Sequence, residues 1–196
     1  MPRERSGSVS GARVQAPVIR PQRRGSVDLG TVARAPVVAA QRTPAQWAQR
    51  IADAFSGVNP LQDLVHRGNC EACSIVTADA LVNGTDPVAP GQVIWSASDH
   101  RTATATFEED EDRADEVWEA LNHQSAPGSV YVVTDEDHAF VVVRDGAGQL
   151  YLVDSNQQIY RPANARGDFV TGGNDLLVGE EQMEIFFWGA LHANWA

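Results

Sequence analysis

The chain has 196 residues, 43% of them hydrophobic, and five Trp, enough apolar side chains to bury one core. It has no run near the roughly 18 apolar residues of a membrane span and no apolar signal-peptide core. Its two Cys cannot build a disulfide framework or a four-thiolate zinc site, and its five His are scattered. Composition therefore predicts one folded domain with no membrane span, no Sec signal peptide, no metal and no other cofactor.

Charge is distributed unevenly along the chain. Residues 1–42 contain eight Arg against two acids, whereas the remaining residues contain seven Arg against 24 acids, a net charge of −17. A surface of that sign repels phosphate backbones, so nucleic-acid binding is disfavoured and basic protein partners are favoured. The chain has no Lys, which fits either an Arg-favouring genome or a protein that avoids ubiquitin-type conjugation inside a foreign cell.

The first predicted helix marks the start of the folded domain. Residues 1–42 show no helical or strand period and are rich in Arg, Gly, Pro, Ser and Val, which predicts a disordered leader. At Thr43 a capping residue is followed by Pro44, a typical first helical residue. Apolar residues then recur every four positions, at Trp47, Ile51 and Phe55. This pattern predicts an amphipathic helix over 44–55, and a domain over 43–196.

A second helix is predicted from Cys70 to Val82, with Gly84 as its stop signal. Cys70 is its first residue. One stripe of this helix is expected to face the core, namely Cys73, Val76 and Ala80.

The rest of the chain predicts irregular structure and then a sheet. Residues 87–107 suggest one or two short strands in an irregular stretch, and the acid-rich segment 108–123 suggests a surface helix with Val117, Trp118 and Leu121 inside. Four apolar runs bounded by turn residues then predict strands covered on both faces: SVYVVTD, HAFVVVRD, QLYLVDS and MEIFFWG. Helices followed by an antiparallel sheet predict the α+β class.

Cys70 is the first candidate for chemistry. A helix N-terminus presents unpaired N–H groups and partial positive charge, which activate a thiol and stabilise an oxyanion. Cys73 is interpreted as a small buried apolar residue. Cys70-x-x-Cys73 also matches a redox dithiol, but the residues before it do not predict the buried strand that a thioredoxin-like unit needs.

A base and its orienting carboxylate are predicted at the open end of the hairpin that HAFVVVRD and QLYLVDS would form. If Asp145 pairs with Gln149 across a three-residue loop, His138 and Asp154 become diagonal neighbours on the same face. His66 and His123 are rival bases: His66 precedes Cys70 by only four residues, and His123 follows the acidic helix. We identify no partner for the two remaining histidines, His100 and His192.

The order of these residues, a Cys at a helix start followed by a His and an Asp on neighbouring strands, resembles the papain-like superfamily. The segments RGNCEACSIVTADALVNG and DHAFVVVRDGAGQLYLVDSNQ are similar to the papain-fold toxin group of bacterial effectors and polymorphic toxins, many of which are protein glutamine deamidases. Asp137 departs from that group, which often has Gly before the His.

The resemblance implies a papain-like fold with Cys70 as nucleophile, His138 as base and Asp154 as orienting carboxylate. Backbone amides at the start of the Cys70 helix, together with Asn69, are the expected donors to the oxyanion. The resemblance also implies conversion of Gln to Glu in a target-cell protein such as a GTPase or a ubiquitin-like protein. The basic leader and the missing Sec signal peptide together suggest production in the bacterial cytoplasm and export by a specialised injection system, with residues 1–42 as a delivery signal. A cognate immunity or delivery protein is a further expected partner.

Three other functions stay open from the sequence. A papain-like site can also cleave peptide bonds, or transfer the Gln acyl group to a primary amine as a transglutaminase. A catalytically inert adaptor of the same fold could bind a basic protein through its acidic surface.

Overall fold

A computed structural model describes residues 42–59, 69–91, 93, 95–109, 112–135, 137–171, 174–177 and 182–195. The predicted leader, apart from its last residue, lies outside the described residues, and so does His66.

The described residues form four α-helices and eight strands, and all the strand pairs are antiparallel. The helices are α1 (Pro44–Phe55), α2 (Cys70–Asn83), α3 (Ala97–His100) and α4 (Arg113–Glu119), with a π-helical turn at Ala120–Gln124 and a 3₁₀ turn at Arg166–Phe169. The strands are β1 (Ala105–Phe107), β2 (Ser129–Thr134), β3 (Ala139–Arg144), β4 (Leu150–Asp154), β5 (Ile159–Ala163), β6 (Val170–Thr171), β7 (Asn174–Asp175) and β8 (Met183–Ala190). Six strands form one antiparallel sheet in the order β1-β8-β2-β3-β4-β5, while β6 and β7 pair separately. The predicted α+β class is confirmed.

Helix α1 has the predicted bounds and the predicted start. The Gln46 N–H donates to the Thr43 hydroxyl at 3.3 Å, and the Thr43 N–H donates to the Gln46 side chain at 2.9 Å, which completes a capping box. The apolar residues at four-residue spacing are all buried: Trp47, Ile51 and Phe55. Local sequence therefore determines both the start and the inner face of this helix.

Helix α2 starts at Cys70 as predicted and ends at Gly84, which has a φ of +70°. A Cβ at Gly84 would lie 2.2 Å from the His192 ring, so this close approach also requires glycine. The prediction of one buried stripe is wrong. Val76, a member of that stripe, is only partly buried, while most other residues of the helix are buried on several sides. The reason is that α2 packs on β2, β3 and β8 and is also covered by the end of the chain, where Trp195 donates to the Ala80 carbonyl at 3.1 Å.

The large sheet is buried on both faces, which confirms the prediction for the apolar runs. Along β2, β3 and β4, the side chains of successive residues belong alternately to two hydrophobic cores, one on each face of the sheet. The first core lies against α1 and α2 and includes Val130, Val132, Val141, Val143 and Val153. The second lies against α4 and the 3₁₀ turn and includes Tyr131, Val133, Phe140, Val142 and Leu152.

Two segments differ from their predictions in detail. Residues 87–107 contain the short helix α3 as well as one strand, β1, formed by the TATATF piece. The acidic helix is shorter than 108–123, because regular α-helix begins at Arg113 and changes to the π-helical turn at Ala120. Its inner side is as predicted, with Val117 and Leu121 fully buried and Trp118 partly buried. No described helix has the length and apolar character needed to cross a membrane.

Candidate functional site

The β3–β4 hairpin has the predicted register. Val141 pairs with Val153, and the Asp145 N–H donates to the Gln149 carbonyl at 2.9 Å. Gly148 closes the three-residue loop with a φ of +92°. This register brings position 138 and position 154 to the same end of the hairpin, as neighbours on a diagonal.

His138 and Asp154 are in direct contact there. The His138 Nε2 lies 2.7 Å from the Asp154 Oδ2, and the other carboxylate oxygen accepts the Gln157 N–H at 2.9 Å. Asp154 is fully buried, and 14% of the His138 side chain is exposed. Because both oxygens of a buried carboxylate have donors, the ring and the carboxylate are held in one orientation.

Cys70 completes the cluster from a distant part of the sequence. It is the first residue of α2, it is 7% exposed, and its side chain forms a hydrogen bond with His138. Since Nε2 of the ring faces Asp154, Nδ1 is the nitrogen that remains for the thiol. The structure thus brings together the three residues that the sequence suggested, in the order thiol, imidazole, carboxylate.

The electrostatic surroundings favour the charged form of His138. Burial lowers its pKa, but the hydrogen bonds and negative charges of Asp154 and Cys70 outweigh burial and raise the pKa to about 10. The neighbouring Asp137 is exposed and is not among the causes that raise the pKa of His138. His138 is therefore an imidazolium at neutral pH.

The two cysteines have different environments. Cys73 is fully buried in the first core, one helical turn after Cys70. Burial, followed by the nearby charges of Cys70 and Asp154, raises the pKa of the Cys73 thiol to about 12. Cys73 is thus a neutral core residue at physiological pH, as its position in the predicted helix suggested.

Asn69 has a contact that the sequence did not suggest. It precedes α2 without capping it, and its side-chain amide donates to the Gly91 carbonyl at 2.7 Å. The side chain therefore holds the segment after α2 against the start of the helix. An oxyanion role for Asn69 stays a prediction; the first N–H groups of α2 are the other donors at this position.

Two further contacts position the cluster. The Asp135 carboxylate accepts the His138 N–H at 2.7 Å and so fixes the backbone before β3. Behind Asp154, the buried hydroxyls of Thr77 and Ser155 lie 2.7 Å apart and join α2 to the end of β4. An Asp after a strand is a turn signal that could have indicated the first contact. The second joins residues 78 positions apart, for which no local signal exists.

The other described histidines lie in different surroundings. His123 is exposed and lies 3.6 Å from the Glu119 carboxylate, and His192 accepts the N–H of Asn194 at 3.1 Å. His100 lies between two tryptophan rings. Within the described part of the chain, no three His, Cys, Asp or Glu side chains are grouped so that they could hold a metal ion.

Comparison with known proteins found no matching family model, curated protein or solved structure. The resemblance to papain-fold toxins stays a prediction that rests on the residues themselves.

Proposed function

We propose that this chain is a cysteine-dependent protein glutamine deamidase of the bacterial effector or toxin class. The observation that carries the proposal is the contact chain of Cys70, His138 and Asp154, with the thiol at a helix N-terminus. A nucleophile, a base and an orienting group in mutual contact are the arrangement that acyl transfer requires.

The first half of the reaction uses the charged form of His138. In the proposed reaction the Cys70 sulfur, as the thiolate partner of this imidazolium, attacks the side-chain carboxamide carbon of a substrate Gln. The N–H groups at the start of α2 stabilise the negative oxygen of the tetrahedral intermediate. The imidazolium then donates its proton to the departing nitrogen, so ammonia leaves and a thioester with Cys70 remains.

The second half returns the site to its starting state. Neutral His138 accepts a proton from water while the water oxygen attacks the thioester carbon, and the thiolate leaves as the C–S bond breaks. The net change is Gln and water to Glu and ammonia. Asp154 holds the His138 ring in place for both proton transfers.

The cellular part of the proposal follows from the same resemblance. A Gln-to-Glu change adds one negative charge to a target protein with little change of shape, which suits an effector that acts on a GTPase or a ubiquitin-like switch. We propose delivery into a target cell by a specialised export machine, with residues 1–42 as the loading signal. Deletion of residues 1–42 is expected to abolish delivery and to leave activity in vitro intact.

The test compares a target-cell lysate treated with wild-type protein, Cys70→Ala or Cys73→Ala. Peptide mass spectrometry is expected to find Gln-to-Glu sites with wild type and with Cys73→Ala, and none with Cys70→Ala. Cys73→Ala is the matched control because it removes a thiol from the same helix without touching His138. New peptide termini that depend on Cys70 would replace the proposal with a protease, and Gln–amine cross-links with a transglutaminase. The absence of any Cys70-dependent change would favour an inert adaptor.

A further inference from the structure

The segment between α2 and α3 is tied to both neighbours of Cys70. The Asn69 side chain donates to the Gly91 carbonyl at 2.7 Å, and the Glu71 carboxylate accepts the Ala97 N–H at 3.1 Å. These two contacts place Gly91 and Ala97 beside the start of α2, close to the two neighbours of Cys70 in the sequence.

Trp95 lies between the two contacts and is exposed. Trp95 is 37% exposed, and Val88 is the other exposed large apolar residue among the residues that the structure describes. The Trp95 ring nevertheless has support, because its centroid lies 5.9 Å from that of His100, whose other neighbour is Trp188 at 6.3 Å. Trp188 is anchored in turn, as its indole donates to the Asp79 carboxylate of α2 at 2.7 Å. A supported, exposed indole loses little entropy on binding, as in interface anchor residues.

The charges around this aromatic group are mainly negative. Burial is the largest cause that raises the pKa of Glu71, and the nearby negative charges of Asp99 and Glu184 raise it further. These two carboxyl groups are therefore close enough to Glu71 to interact with it electrostatically. The neighbouring cation, Arg101, stacks on the opposite end of the aromatic group with its guanidinium 5.0 Å from the Trp188 ring. An aromatic face with an excess of carboxylates beside it favours a cationic side chain over an acidic or a neutral one.

We propose that Trp95 is a specificity residue that receives an Arg or Lys side chain next to the target Gln of the protein substrate. This inference rests on the proposed deamidase function, because it names what the Cys70 site selects. The indole supplies a cation–π contact, and the carboxylates of Glu71 and Asp99 supply the long-range attraction. Trp95 takes no part in proton transfer.

The test uses two acetylated pentapeptide amides, Gly-Arg-Gln-Arg-Gly and Gly-Glu-Gln-Glu-Gly, with ammonia release as the readout. Wild type is expected to prefer the Arg peptide. Trp95→Ala should reduce the ratio of the two kcat/KM values about fivefold, through the KM of the Arg peptide, and Trp95→Phe should retain most of the preference. Val88→Ala, which removes the other exposed apolar side chain of the same segment, should leave the ratio unchanged.

Binding separates failure of this inference from failure of the proposed function. Calorimetric titration of the Arg peptide into Cys70→Ser protein needs no turnover, and Trp95→Ala in that background should weaken binding by the same factor of about five. If wild type deamidates both peptides with a preference that Trp95→Ala does not alter, the role of Trp95 is refuted and the deamidase stands. If neither the peptides nor the proteins of the target-cell lysate are deamidated, the proposed function is refuted. Trp95 is then judged on binding alone, and equal binding of both peptides would refute its role as well.

Discussion

The two ends of the β3–β4 hairpin are held together in different ways. At the turn end, the Asp145 carboxylate accepts the N–H groups of Ala147 and Gln149, both at 2.9 Å, so all the groups involved lie within a few residues. At the open end, His138 and Asp154 also have local contacts, with Asp135 and Gln157, but the thiol that completes the cluster comes from α2, far away in the sequence. The turn end can form from local chemistry, whereas the open end needs the finished domain. The proposed catalytic groups lie at the end that only tertiary structure completes.

The largest effect is expected from Asp154→Asn at the open end. The substitution removes the charge that holds and stabilises the His138 imidazolium, so we expect kcat/KM for Gln deamidation to fall by about 100- to 10,000-fold. The sign of the pH effect follows from the pKa of about 10 for His138. Wild-type activity should fall as pH rises through about 10, where the ring loses its proton, and loss of the Asp154 charge should move this fall to lower pH.

The matched control is Asp145→Asn at the turn end of the same hairpin. It keeps an acceptor oxygen for the two loop N–H groups, so it should change neither kcat/KM nor the pH profile. Equal losses of activity in both variants would mean that the carboxylates act on the hairpin as a whole and would contradict a special role for Asp154.

The second largest effect is expected from Arg144→Met, which should lower the stability of the fold. The Arg144 guanidinium donates to the Ser125 hydroxyl at 2.7 Å and to the Gly148 carbonyl at 2.8 Å, and also to the carbonyls of Leu121 and Asn122 in the π-helical turn. Met keeps the apolar stem but leaves these acceptors without their donor, so we expect the free energy of unfolding to fall by about 2–4 kcal/mol.

Urea denaturation measures this loss, and kcat/KM measured below the transition should stay within about twofold of wild type. A large loss of kcat/KM in a still folded Arg144→Met protein would contradict the separation of the two hairpin ends.

A smaller effect on both properties is expected from Thr77→Val. The change is nearly isosteric and leaves the buried Ser155 hydroxyl without its partner, which should cost about 1–3 kcal/mol in the free energy of unfolding. Because Ser155 follows Asp154 directly, kcat/KM should also fall, by about tenfold. Thr106→Val, on the exposed side of β1, is the matched control and should change neither quantity. Activity equal to that of wild type in Thr77→Val would show that this contact only stabilises the fold.

The smallest effect is expected from Gly148→Ala at the turn. The φ of +92° is unfavourable for any residue with a Cβ, so urea denaturation should show a loss of about 1–2 kcal/mol. Gly167→Ala is the control, because a Cβ there meets no atom within 4 Å. Gly148→Ala should leave kcat/KM unchanged, and an unchanged midpoint of denaturation would contradict the assigned turn geometry.

The predictable parts of the fold are those that local chemistry determines. The capping box of α1, the αL residue Gly84 at the end of α2 and the register of β3 and β4 all follow from short sequence patterns. Strand β5 is not among the predicted strands, and it contains Pro162. It is accommodated because β5 is the edge strand of the sheet, where one N–H can be missing without loss of a ladder bond.

The candidate site also has some contacts that local sequence determines and others that it does not. The register of one hairpin was enough to bring His138 to Asp154, and a helix start was enough to single out Cys70. The contacts of Asn69 with Gly91 and of Glu71 with Ala97 could not be predicted, because they depend on how the chain returns across α2. The proposed specificity residue therefore lies in the part of the molecule that sequence patterns describe least.

The position of β8 in the sheet has a consequence for how the chain folds during synthesis. Of the six strands of the large sheet, β8 comes last in the sequence, yet it lies between β1 and β2. Until residues 183–190 leave the ribosome, β1 has no strand to pair with in this sheet and one edge of β2 is unpaired. Closure of the sheet must therefore wait until these residues have been synthesised, and such long-range pairing is slow, typically milliseconds to seconds. Partly synthesised chains would then be the form most exposed to aggregation and to chaperones.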